Sequence, residues 1–296
     1  MKKALLTWYR ENPRDYPWRS DNIDPYVVLV SEMMLQQTQA GTVAKRLPEF
    51  LQVFPNIDAL SRASNGDMLK AWQGLGYNRR AIRLRDAAVV IRDNHGGEIP
   101  NDAAALAAMP GLGAYASAAI VCFAYNRREV VVDVNVRRVY SRYMTRQSTT
   151  ACVQPVRTVY EFAETIVPRT NASEWHHAVM DLGAHICTAR KPLCDSCPLR
   201  STCPSAHLLK QPPAATRKSK GEPMYRGQPN RIWRGRIVKL LHGKGPAATF
   251  THRRLFRQLT NTTATATDLQ WLSDILQSLQ KEGMLVIDRT SISGMR

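Results

Sequence analysis

Apolar residues recur at intervals of three and four along the first two-thirds of the chain, the spacing that lines one face of a helix. DPYVVLVSEMMLQQTQAGTVAKRLPEFLQVF (24–54) and NGDMLKAWQGLGYNRRAIRLRDAAVVIRDN (65–94) both read as helical, the second broken at Gly74-Leu75-Gly76. PNDAAALAAMPGLGAYASAAIVCFAY (100–125) reads as helix, tight turn, helix, and WHHAVMDLGAHIC (175–187) as one more helix. The start, MKKALLTWYR, is an amphipathic helix that turns polar too soon for a secretory signal. Only EVVVDV (129–134) carries a β-branched run, which reads as a short strand or as the buried lead-in to a helix.

The pattern changes near residue 205. HLLKQPPAATRKSKGEPMYRGQPNR (207–231) is rich in Pro, Gly and Lys/Arg, with Glu222 its one acid, and reads as a linker. Three helices follow: RIWRGRIVKLLHG (231–243), FTHRRLFRQLT (250–260) and TDLQWLSDILQSLQKEG (267–283), the last capped by Thr267 or Asp268 and stopped at Gly283. MLVIDRTSISGMR (284–296) reads as a hairpin. Three helices and a hairpin are in winged-helix order, and about 65 residues suffice for such a unit.

Charge narrows the partners. Lys and Arg number 41 against 24 Asp and Glu, a formal charge of +17 over 296 residues. A polyanion, nucleic acid first, is the expected partner. No apolar run has membrane-spanning length, so the expected location is cytoplasmic, in a bacterium the cytoplasm and nucleoid. The turn Pro110-Gly111-Leu112-Gly113 suits phosphate binding: glycine admits positive φ, and the amides of the following helix face an anion.

Four of the six cysteines share one window, Cys187, Cys194, Cys197 and Cys203, spaced Cys-x6-Cys-x2-Cys-x5-Cys. Without an export signal they read as metal ligands rather than disulfides. Zinc ribbons show two separated Cys-x2-Cys pairs; a single pair with flanking cysteines favours a [4Fe–4S] cluster.

Hairpin, downstream Asp and cysteine window together resemble the helix-hairpin-helix DNA glycosylases that carry an iron–sulfur cluster. Within them the likeness is to the MutY type, which acts on adenine opposite 8-oxoguanine. It covers about residues 1–205 and rests on YPWR (16–19), SEMMLQQTQ (31–39), GLGY (74–77), MPGLGAY (109–115), VDVNVRRV (132–139) and MDLGAHIC (180–187).

The resemblance implies a mainly α, two-lobed fold. A helical barrel spans about 22–128 and an iron–sulfur lobe takes 1–21 and 129–205; a basic linker (206–230) then leads to a small α+β winged-helix-like domain (231–296). Asp133 matches the aspartate facing the anomeric carbon, although DVNVRRVY also suits a plain helix N-cap. Glu32 matches the acid that protonates adenine, and Asn135 an asparagine beside both acids. Tyr115 stands where bifunctional relatives carry a Schiff-base lysine, so a monofunctional enzyme is expected. Trp18, Arg19 and Leu35 match the base pocket. His177 stands there too, where the family usually has Gln or Glu. Gln36, Gln37 and Tyr77 match wedging positions; Gly111, Gly113 and Arg138 are expected at DNA.

The implied substrate is double-stranded DNA with a mismatched or damaged base, bound by a monomer. The usual Nudix-like domain that reads 8-oxoguanine is replaced by the winged-helix-like unit. Its Arg231, Arg234, Arg236, Arg253 and Arg254 suit non-specific DNA affinity. Competing readings are a same-fold glycosylase for thymine or uracil opposite guanine or for another damaged base, a non-catalytic iron–sulfur DNA-binding protein, and a zinc transcription factor.

Overall fold

Each predicted helical stretch forms, and several are closed by a local polar device. The computed structural model describes residues 1–20, 22–151, 153–210, 222–244, 248–288 and 291–295; most of the basic linker, 211–221, lies outside them, as does Cys152. The glycosylase-like part is helical: α1 (Lys2–Glu11), α2 (Pro25–Leu35), α3 (Ala40–Val53), α4 (Ile57–Ser61), α5 (Asn65–Ala71), α6 (Arg79–Asn94), α7 (Ala103–Ala107), α8 (Ala114–Tyr125), α9 (Val134–Met144), α10 (Val156–Ile166) and α11 (Ala172–His185). Asn56, Ser64, Asp102 and Asp133 cap α4, α5, α7 and α9 by accepting an N3 backbone N–H. EVVVDV forms no strand: Val130 and Val131 are buried as the extended lead-in to α9.

The C-terminal part holds β1 (Met224–Tyr225), β2 (Gln228–Pro229), α12 (Asn230–Gly243), β3 (Thr249–Phe250), α13 (His252–Thr260), α14 (Ala266–Lys281), β4 (Leu285–Asp288) and β5 (Ser291–Gly294). Strands β3, β5 and β4 make an antiparallel sheet in that order. Helix, strand, two helices and a hairpin complete the winged-helix order. The sequence reading missed β3, two residues long. It also missed the β1–β2 hairpin, which sits inside the span read as linker. The cap of α14 is Thr265 rather than Thr267 or Asp268. Asp268 lies three residues on and returns a bond to the Thr265 N–H, closing a capping box.

By its contacts the chain divides into two compact units. Unit 1 comprises Met1–Val28, Pro100–Ala108 and Leu112–Arg217; unit 2 comprises Leu29–Ile99, Met109–Gly111 and Lys218–Arg296. Helix α8, expected in a barrel spanning 22–128, packs on α7 and α11 and so belongs to unit 1. The winged-helix unit, expected to stand apart, joins unit 2: α12 packs on α5, and Asn65 Nδ2 donates to the Gly283 carbonyl at 3.1 Å.

In unit 1, α11 packs against α9 and α1. A Cβ on Gly183 would stand 2.8 Å from the Asn135 Cβ, so glycine sets the closeness of α11 to α9. In unit 2, α6 packs against α4 and α5 over Leu60, Met68, Leu84 and Ile91. Its N-terminal Arg80 is 7% exposed and has no carboxylate partner among the described residues. The guanidinium instead donates to the carbonyls of Met33 (2.9 Å), Met34 (2.8 Å), Leu75 (3.1 Å) and Gly76 (2.9 Å), and to Thr38 Oγ1 (2.9 Å). It thereby joins the end of α2 to the Gly74–Tyr77 turn. Burial lowers its pKa to about 10, so it stays charged at neutral pH.

Removing that cation takes a donor from four carbonyls, of which Leu75 keeps Thr38 Oγ1 (3.0 Å) and Gly76 keeps Trp72 Nε1 (3.2 Å). Arg80→Met is expected to lower the unfolding free energy by about 3 kcal/mol, read as a lower urea midpoint; an unchanged midpoint would show that the turn holds without it.

Candidate active site

Asp133 is a half-buried helix cap. The chain arrives extended (φ −86°, ψ −176°) and α9 starts at the next residue, so the carboxylate folds back to accept from Val136 N at 2.6 Å. Asn135 Nδ2 donates to its other oxygen at 3.0 Å. Asn135 is oriented in turn by Arg138, whose Nη2 donates to Asn135 Oδ1 at 2.9 Å. Burial raises the Asp133 pKa above the usual carboxylate value, while the N–H donors oppose the rise. Upstream, His176 Nε2 donates to the Glu129 carbonyl at 2.8 Å, with its pKa held down to about 4 by burial, and so fixes the segment that delivers Asp133. Tyr115 is half-buried in the first turn of α8.

Three of the four pocket residues converge in unit 1 on one cavity of about 880 Å³, lined by Trp18, Arg19, Phe123, Asn126 and His177 among others. That volume lies in the ordinary range for a ligand pocket, roughly 300–1,000 Å³. Trp18 stacks on Tyr16 with ring centroids 4.8 Å apart. Arg19 makes a bidentate ion pair with Asp181 at 2.7 and 3.0 Å, both side chains buried. His177 stacks on Phe123 at 4.3 Å. Burial and the Arg19 charge push its pKa well below the usual value, so the imidazole is neutral and offers one donor and one acceptor nitrogen.

Leu35 lies at the end of α2 in unit 2, as does Glu32, which is 6% exposed among Met33, Met34 and Val30. Gln36, Gln37 and Tyr77 are also in unit 2, on the two turns that Arg80 joins. Gln37 and Tyr77 take positive φ, +63° and +48°, and Tyr77 is 54% exposed. A strained, exposed aromatic held from beneath by a buried cation is built to touch something outside the fold.

At the hairpin Gly111 has φ +80°, and a Cβ there would stand 2.8 Å from the Arg83 Cβ, so both conformation and space require glycine. Gly113 is the N-cap of α8, and no side chain caps that helix, which leaves its first amides for an anion. Arg138, expected at DNA, is turned inward. Its guanidinium donates to the carbonyls of Cys187 (2.8 Å) and Gly183 (2.6 Å). It links the Asp133–Asn135 pair to the start of the cysteine loop.

Comparison with known proteins fixes the family. Residues 30–154 match the profile of the HhH-GPD superfamily base excision DNA repair proteins. The chain is 37% identical over 273 residues to the adenine DNA glycosylase of Mycobacterium tuberculosis (strain ATCC 25618 / H37Rv), covering 92% of this chain and 84% of that one. The chain belongs to the adenine DNA glycosylase family of the HhH-GPD superfamily. It is also 32% identical over 201 residues to the thymine/uracil-DNA glycosylase of Methanothermobacter thermautotrophicus, covering 68% of this chain and 90% of that one. The structure of a thermostable thymine-DNA glycosylase aligns with a TM-score of 0.62 at 32% identity, covering 68% of this chain and 92% of that one.

The cysteine loop of this glycosylase, residues 187–203, matches the iron–sulfur binding domain of endonuclease III, a [4Fe–4S] site. The donor set fits the cluster. Burial pushes the Cys197 thiol up to about 11, and the charges of Cys187, Cys203 and Cys194 push the same way, so the four sulfurs lie within electrostatic reach of one another and need a shared cation to ionise together. Among the described residues no three ligating side chains close on a single ion; a cluster takes one thiolate on each of four irons. Arg142, 1% exposed, frames the loop. It donates to the carbonyls of Thr188 (2.8 Å), Ala189 (3.2 Å) and Thr150 (3.3 Å), and its Nη1 lies 3.3 Å from Cys187 Sγ.

Asp181, Phe123, Arg80 and Arg142 escaped the sequence reading. Asp181 alone left a trace there, as an acid inside the otherwise apolar MDLGAHIC.

Since the folded pKa of Asp133 is raised, the stability tied to its protonated form is full below the unfolded value and is lost as pH rises through the folded one. Asp133→Asn keeps a capping oxygen and loses the charge. Its melting temperature is expected to equal or exceed that of the parent at pH 7 and to match it near pH 3, below the usual Asp value of about 3.9. A lower melting temperature at pH 7 alone would show that the carboxylate stabilises α9.

Proposed function

We propose that this chain is a monofunctional DNA glycosylase that removes adenine mispaired with 8-oxoguanine or guanine and leaves an abasic site. The observation that carries the reading is the Asp133 carboxylate, held at a helix N-terminus between the Val136 amide and Asn135. Cleaving an N-glycosidic bond builds oxocarbenium charge on the sugar, and a fixed carboxylate stabilises it. Glu32, buried on α2, is assigned as the acid that protonates the leaving base. The bonding pair leaves with the base nitrogen, and water completes the sugar. Asn135 orients Asp133. Tyr115 cannot form a Schiff base, so strand cleavage awaits alkali.

Trp18, Arg19, Leu35 and His177 are assigned to the extruded base, with Asp181 positioning Arg19. A neutral His177 can accept from an exocyclic amino group in one tautomer and donate in the other. Gln36, Gln37 and Tyr77 would fill the gap left by flipping. The hairpin amides after Gly111 and Gly113 would hold a phosphate. Cys187, Cys194, Cys197 and Cys203 would ligate the cluster, which supplies structural support for the loop. The unit of action is a monomer on double-stranded DNA.

A second reading, thymine or uracil opposite guanine, is favoured by His177 and by the thymine/uracil relative, whose match spans most of that enzyme. Extent of match weighs toward adenine. The mycobacterial relative aligns over 92% of this chain, too much to leave out the winged-helix unit, whereas the thymine/uracil relative aligns over 68%.

Single-turnover excision on duplexes carrying A opposite 8-oxoguanine, A opposite G, T opposite G and U opposite G separates the readings. Alkali-dependent cleavage at adenine is expected. Glu32→Gln is expected to slow it by about 10²–10⁴-fold, and Asp133→Asn to abolish it with binding retained. Cleavage confined to T or U would overturn the adenine assignment, and breaks without alkali the monofunctional one.

A further inference from the structure

In a winged-helix unit that reads DNA, the second of the adjacent helices enters the major groove. Here that helix is α14, and its exposed residues include Thr267, Gln270, Asp274 and Gln277, with no cation before Lys281 at its end. Gln270 is spent on Asp274, donating at 2.9 Å. A negative, self-bonded face is poorly suited to a phosphate-lined groove.

The positive charge lies on α13. Arg253, Arg254 and Arg257 fall within about 100° of arc at 3.6 residues per turn, opposite the buried Leu255 and Phe256. All three are exposed. Among the described residues no carboxylate pairs with any of them. The other arginines of this unit are mostly neutralised from within: Arg231 pairs with Glu222, Arg234 with Glu282 at 2.7 Å, and Arg226 with Asp268 at 3.4 Å. Arg254 lies over the Phe250 ring at 5.5 Å, which braces its base while leaving the edge of the fork free. Like charges three and four apart repel and cost helix stability, so their persistence here suits an external polyanion.

The winged-helix part that carries this face shares unit 2 with Gln37 and Tyr77. The Asn65–Gly283 bond and the α5–α12 packing fasten the two within unit 2. A grip on α13 therefore moves with the wedge rather than on a tether.

We propose that the α13 face, Arg253, Arg254 and Arg257, is a second DNA contact that holds backbone phosphates of the duplex, and that α14 does not read the groove. The partner is duplex DNA, the polyanion that the chain already binds as a glycosylase. The proposal rests on that reading for its ligand, but its test reads binding and not excision, so it stands or falls apart from which base is removed.

Fluorescence anisotropy of the full chain on a short duplex, with and without an A opposite 8-oxoguanine, is followed against KCl concentration. Each lost phosphate contact lowers the slope of log K against log salt by about 0.9, so Arg253→Gln/Arg254→Gln/Arg257→Gln is expected to lower it by about 2–3. Affinity should weaken alike on both duplexes and on unrelated sequences. The triple Lys variant restores the charge and should restore the slope. An unchanged slope in a triple Gln variant that melts like the parent would overturn the proposal. So would affinity lost without change of slope, or a loss confined to one sequence, which would mark base reading.

Discussion

Each unit is organised around a buried guanidinium that bonds to backbone carbonyls, with no carboxylate partner among the described residues. Arg80 does this in unit 2 and Arg142 in unit 1. A buried cation without an acid is costly unless every donor is used. These two come close to that condition by drawing irregular backbone around both terminal nitrogens, with only the Nε of each left without a partner. Arg80 collects four carbonyls from two turns that would otherwise expose them, and so fixes where Gln37 and Tyr77 project. Arg142 collects the start of the cysteine loop before any cluster is considered. Loops with no hydrophobic core of their own are thus given the rigidity that positioning chemistry requires.

The same economy appears around Asp133. Asp133, Asn135, Arg138 and the carbonyls of Gly183 and Cys187 form one continuous chain of hydrogen bonds. The carboxylate therefore shares a network with the cysteine loop through Arg138. That side chain was expected at DNA and is turned inward because two main-chain carbonyls at the end of α11 lie within its reach. Helix α9 supplies three members of the network within six residues, and Gly183 lets α11 approach closely enough to meet them.

Much of this was legible in the sequence. Helices followed from apolar spacing, the metal loop from four cysteines in one window, and the C-terminal order from three helices and a hairpin. What escaped lies outside what a local pattern reports. Strand β3 is two residues long, too short for a period to register. Arg80 and Arg142 look like surface residues in RRAIRLRD and VRRVYSRY, and nothing local says that a guanidinium will turn inward to carbonyls distant in sequence. The cap of α14 was misplaced by two or three residues because TATATDL offers several threonines, and only the geometry selects Thr265. Charge was legible as a sum and not as a surface: of the five arginines read as DNA-facing, Arg231 and Arg234 are neutralised within the fold, while Arg257, not singled out, stands free.

The double duty of Asp133 has a consequence for how such a protein fails. Folding asks of this position only a short side chain with an oxygen for the Val136 amide, a demand that asparagine, serine or threonine meets as well. Selection for a stable chain therefore does not protect the acid. On the proposed assignment, a substitution here leaves a folded protein that has lost excision alone. Such a protein would still occupy the DNA it binds and shield it from other enzymes.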